Sequence, residues 1–141
     1  MENIDMKITN TSDVELFNLE FNDALAGSAT TERTLRLHNE DARNTTVNYV
    51  TACRADMLIA APVSEDSDLS NVLGQELVTE SWLEARAGTA GAWTALDGWT
   101  SKLDLGAILV GAYATFQVRL NIPAGATTLG TMAFCFGIRS F

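Results

Sequence analysis

Positive charge, histidine, cysteine and proline are all scarce in this sequence. Nine Lys and Arg residues stand against eighteen Asp and Glu, so the 141-residue chain has a formal net charge of −9 at pH 7. Gripping nucleic-acid phosphates or an anionic bilayer surface requires clustered Lys and Arg. Neither nucleic acid nor membrane is therefore expected as a partner. No apolar run approaches the roughly 18 residues a membrane-spanning helix needs. The nearest, residues 103–116, is broken by Asp104, Gly106 and Gly111. The opening Met1-Glu2-Asn3-Ile4-Asp5 has no basic segment followed by an apolar one, so no secretory leader is expected.

The single histidine is His38. General acid–base catalysis needs a titratable group within hydrogen-bond reach of a partner and a substrate. With Arg36 on the same parity, His38 is expected to be solvated at a strand edge. Cys53 and Cys135 match no zinc-site or thioredoxin spacing. Two reduced thiols in or beside strands are expected, with a strand-to-strand disulfide as the less favoured alternative in a chain without a leader. There is no Gly-x-Ser-x-Gly elbow and no His-Glu-x-x-His. The segment Gly125 to Gly130 lacks the Lys of a phosphate-binding loop. Glu65, Asp66 and Asp68 supply three carboxylates without the downstream Glu and bend Gly of a calcium loop, so they read as a solvated acidic loop. The expectation is no metal, no cofactor and no enzymatic activity.

What the chain does have is apolar content: 47% hydrophobic against 19% charged residues, which excludes a disordered polymer. Its length fits one domain in the usual range of about 100–200 residues. The dominant period is two, the signature of half-buried strands. Phe17, Leu19 and Phe21 alternate with Asn18 and Glu20; Leu35 and Leu37 alternate with Thr34, Arg36 and His38. Val47 and Tyr49 share one parity. Phe116, Val118, Leu120 and Ile122 are expected inward, with Gln117, Arg119 and Asn121 facing water. Phe134, Phe136 and Ile138 line one side of the last strand. Residues 76–87 read as a strand around Val78, Trp82 and Leu83, with a helix as the alternative. Asp97-Gly98 marks a tight turn. No βαβ alternation and no long repeat interrupts the pattern. It reads as all-β: one antiparallel β-sandwich over residues 1–141, with seven to nine short strands and residues 1–12 as a short N-terminal arm. A barrel is the second choice.

Trp82, Trp93 and Trp99 lie close together in sequence. Tryptophan in a sandwich belongs most often to a core or subunit interface because of its large area. Exposed and coplanar on a turn, Trp93 and Trp99 would instead suit stacking on sugars.

The segment Leu105-Gly106-Ala107-Ile108, the turn at Gly111 and the run Phe116-Gln117-Val118-Arg119-Leu120-Asn121-Ile122-Pro123 form a recurring immunoglobulin-like pattern. With Trp93, Leu96, Trp99 and Leu103 before them and the Pro123–Gly130 loop after, residues 76–141 resemble small structural proteins of tailed-bacteriophage virions. Capsid decoration, head-fibre, neck and tail modules belong to that group. The resemblance implies an immunoglobulin-like sandwich that assembles in the host cytoplasm, binds the major capsid protein or other virion proteins, and self-associates. It carries fold signatures and no active site. Contacts are expected at Trp93, Trp99 and the loop Pro123, Ala124 and Gly125, since loops at sandwich ends are common recognition surfaces. A tail, neck or baseplate component is the nearest alternative. A carbohydrate-binding module is the alternative of a different class.

Overall fold

A computed structural model describes residues 6–16, 21, 27–54, 82–96, 103–126 and 134–140. These residues hold eight strands and no helix: β1 (Met6–Thr9), β2 (Arg33–Asn39), β3 (Thr45–Arg54), β4 (Leu83–Ala87), β5 (Thr94–Ala95), β6 (Gly106–Ile108), β7 (Tyr113–Leu120) and β8 (Phe134–Ser140). They form two sheets, ordered β1-β2-β7-β4-β5 and β6-β3-β8. Every pairing is antiparallel.

The alternating runs place the core. Leu35 and Leu37 of β2, Leu83 and Ala85 of β4, and Phe116, Val118 and Leu120 of β7 are buried on one side of the five-stranded sheet. They join Val47 and Val50 of β3 and Ile108 of β6 in a single apolar cluster, which Trp82, Leu96, Leu103 and Ile122 complete. Removing each large side chain from water stabilises the fold by about 1.5–3 kcal/mol. Two antiparallel sheets sharing one core are consistent with a β-sandwich. The connectivity has its own character. An immunoglobulin constant domain orders one sheet as strands A, B, E and D; here the second and fourth described strands both bond to the seventh.

Residues 6–9, within the short N-terminal arm expected over residues 1–12, form an edge strand with Ile8 opposite Leu37. Three expectations need correction. Tyr49 does not continue the parity of Val47. A bulge between Val47 and Tyr49 makes Asn48 the extra residue, so the next buried position on β3 is Val50. Gln117 faces away from the core but is only 6% exposed, because neighbouring polar side chains close over it. His38 is not at an edge, since β1 lies beside β2. Within residues 76–87, the described part is strand from Leu83 onward. The expectations for Phe17, Leu19, Val78 and Asp97-Gly98 fall outside the described residues.

One residue ties the two sheets at one end of the molecule. Asn39 is 2% exposed. Its Nδ2 donates to the carbonyls of Arg43 at 2.8 Å and Ile108 at 2.9 Å, and its Oδ1 accepts from Asp41 N at 2.9 Å. Its own backbone accepts from Gly111 N and donates to the Ala112 carbonyl. Two of the connections that carry the chain between sheets, those after β2 and after β6, are thus locked to a single side chain. Gly111 turns there with φ 74°, which suits a residue without Cβ.

Candidate functional site

The register sorts the five-stranded sheet into a core face and an outer face. Thr34 pairs with Gln117, Arg36 with Thr115 and His38 with Tyr113. Across the other side of β7, Arg86 pairs with Gln117 and Glu84 with Arg119. All are off-parity with the buried Leu35, Leu37, Phe116, Val118 and Ala85, so they share the outer face. Two clusters stand on it.

The first is built around Trp93, which immediately precedes β5. The guanidinium carbons of Arg86 and Arg119 lie 4.5 Å and 4.2 Å from its ring centroid. Arg86 Nε donates to Gln117 Oε1 at 2.8 Å, and Gln117 Nε2 donates onward to Thr34 Oγ1 at 2.9 Å. Arg119 Nε donates to Glu84 Oε1 at 3.0 Å. Each guanidinium is held by stacking and by one directed bond, so its orientation is set before any partner arrives. The half-buried indole has two cations against its ring.

The second cluster lies where residues 10–16 fold back over β2. Asn10 Oδ1 accepts from Ser12 N and Val14 N at 2.8 and 3.1 Å, and Leu16 N donates to the Ile8 carbonyl at 2.9 Å. At the bend Asp13 adopts φ 60°, a left-handed conformation that a non-glycine residue takes at some cost. Its carboxylate accepts from Arg36 Nη1 at 2.9 Å and lies 3.3 Å from His38 Nε2. Arg36 in turn sits 4.5 Å from the Tyr113 ring centroid. The expectation of a solvated His38 is therefore corrected: its side chain is 15% exposed, under the segment that carries Asp13. Thr9 Oγ1 lies 2.9 Å from His38 Nε2 and donates its one hydrogen to the Asn10 carbonyl. His38 is a clamp between β1 and the overlying segment.

The charges respond to these partners. The hydrogen bond from Arg36 holds the Asp13 carboxyl below its ordinary range, helped by the charges of Arg36 and His38 and opposed by desolvation. Lys7 of β1 bonds Glu40 at 2.8 Å. That bond lowers the Glu40 carboxyl and raises the Lys7 ammonium.

Of the residues singled out from sequence, Trp93 lies on this outer face. Pro123, Ala124 and Gly125 form an exposed turn, closed by Ala126 N donating to the Pro123 carbonyl at 3.1 Å. It packs against Gly27, where an added Cβ would meet Ala124 Cβ at 3.5 Å. Trp82 is buried. Trp99 and the acidic residues Glu65, Asp66 and Asp68 fall outside the described residues. Arg86, Arg119, Glu84 and Gln117 were legible only as strand positions, because the register that gathers them around Trp93 is not local. Among the described residues, no three His, Cys, Asp or Glu side chains form a group that could hold a metal ion. No described helix is long and apolar enough to cross a membrane. No protein family, curated protein or solved structure matches this chain.

Proposed function

We propose that the chain is a non-enzymatic docking module of a tailed-phage virion, a decoration or appendage protein that attaches to the capsid lattice. The Arg86–Trp93–Arg119 stack on the outer sheet face carries this reading. Tryptophan and arginine are the residue types most enriched at the energetic centres of protein interfaces, and here they are held rigid before binding, which reduces the ordering cost of association. The exposed turn Pro123–Gly125 and the exposed Leu109, Val110 and Tyr113 offer further contact area. An immunoglobulin-like label belongs to this proposal at the level of two packed antiparallel sheets. Self-association belongs to it as well, since repeated weak contacts on a symmetric particle add up.

A carbohydrate platform is the less favoured reading. Sugar stacking uses an open aromatic face, and Trp93 is half-buried with two guanidinium groups against its ring. Tryptophan fluorescence is expected to stay unchanged across a panel of glycans. The direct test is sedimentation of native particles followed by cross-linking mass spectrometry. The chain is expected in many copies on the particle, cross-linked to the capsid protein. Recovery solely from the unsedimented fraction would overturn the proposal. Trp93→Ala should lower particle occupancy at least tenfold, the effect of losing about 1.4 kcal/mol or more.

A further inference from the structure

We propose that Cys53 and Cys135 form a redox-responsive cross-strand pair that closes an intramolecular disulfide and staples β8 to β3. They are the chain's two cysteines. Far apart in sequence, they are Cα partners in the antiparallel β3–β8 ladder. Directly opposed residues in such a ladder have Cα atoms about 4.5–5.5 Å apart. A disulfide spans Cα separations of about 4.4–6.8 Å, so the backbone needs no rearrangement to accept one.

The register that opposes them depends on the bulge. Counted in an unbroken ladder from the pair Val47↔Ser140, Cys53 would face Phe134. The extra residue Asn48 shifts every later pair, and Cys53 comes to face Cys135.

The oxidant we name is glutathione disulfide. One cysteine thiolate attacks a glutathione sulfur, forming a mixed disulfide and expelling one glutathione thiolate. The second cysteine thiolate attacks the protein sulfur of that mixed disulfide and expels the other glutathione. Overall, two protein thiols and one glutathione disulfide become one protein disulfide and two glutathione thiols. The bond is open in a reducing cytoplasm and closes in an oxidising medium.

The bond bears on a particular strand. Among the described residues β8 bonds only to β3, and it contributes Ile138 to the edge of the core. A covalent link at this pair ties the outermost strand of the three-stranded sheet and closes a long loop of chain.

The test uses the full folded chain, equilibrated in buffers of increasing glutathione disulfide to glutathione ratio, then alkylated and analysed by intact mass and peptide mapping. The expected result is a monomer two hydrogens lighter, a linked Cys53–Cys135 peptide, and a melting temperature higher by roughly 10 °C that dithiothreitol reverses. Cys53→Ser and Cys135→Ser should each stop at a glutathione adduct and gain no such rise. Full alkylation of both thiols after oxidative equilibration would overturn the proposal. So would accumulation of glutathione adducts on the unsubstituted chain, or linkage found only between chains.

Discussion

Two polar side chains carry more of this structure than their size suggests. Asn39 makes three side-chain hydrogen bonds in a buried position and joins the turns that follow β2 and β6. Replacing it by Ala removes all three bonds: the Arg43 carbonyl keeps the bond from Thr45 Oγ1, while the buried bond to the Ile108 carbonyl is lost, at about 1–3 kcal/mol for a polar group left buried. With partial rehydration, Asn39→Ala should lose about 2–4 kcal/mol in urea denaturation. A loss under about 0.5 kcal/mol would show that the turns hold without it. Asp13 acts differently, because it is exposed and its effect is local. Its folded-state carboxyl titrates below the ordinary value of 3.8. Its contribution is therefore complete above that value and disappears as pH falls through the lower, folded value. Residues 10–16 should stay protected in mildly acidic solution and release only below the ordinary carboxylate range. Amide exchange at Leu16, with Asp13→Asn as comparison, reads this directly. The variant should exchange faster than the parent above the ordinary carboxylate range and alike once Asp13 is protonated; equal protection near neutral pH would remove the carboxylate from the account.

At the scale of elements, the sharpest consequence concerns β1. It covers one edge of β2, and an uncovered edge strand invites pairing with other chains. Deleting residues 1–9 should cost about 2 kcal/mol, from lost Met6 and Ile8 burial, and should produce aggregation visible by light scattering. A dispensable arm would leave a stable monomer. The sequence concealed this strand because Met6-Lys7-Ile8-Thr9 is too short for a periodicity argument. Longer alternating runs were legible: the inward faces of β2 and β7 follow directly from Leu35, Leu37, Phe116, Val118 and Leu120. β3 was half legible, because one extra residue at Asn48 reverses the side on which later residues fall. β5, two residues long, gives no period at all. The candidate site divides the same way. Trp93 stands out by residue type. Its partners Arg86 and Arg119 come from β4 and β7, which are distant in sequence and paired side by side only in the folded sheet, and His38 is covered by a segment whose path no parity rule describes.

For the whole molecule, an overall charge of −9 does not prevent four cations, Lys7, Arg36, Arg86 and Arg119, from sharing one face. Three of them sit beside Glu40, Asp13 and Glu84, while Arg86 is bonded to neutral Gln117. The face is thus nearly balanced, and docking through it should weaken only modestly with added salt.

The central position of β7 also sets a timetable. β2 and β4 are bonded to β7 and not to each other. During translation β2 has only β1 and β4 only β5 to pair with, and the two halves of the sheet cannot join until residues 113–120 have left the ribosome. The first 112 of the 141 residues must wait with β2 and β4 each open along one edge, which makes synthesis itself the interval in which chaperone protection matters most.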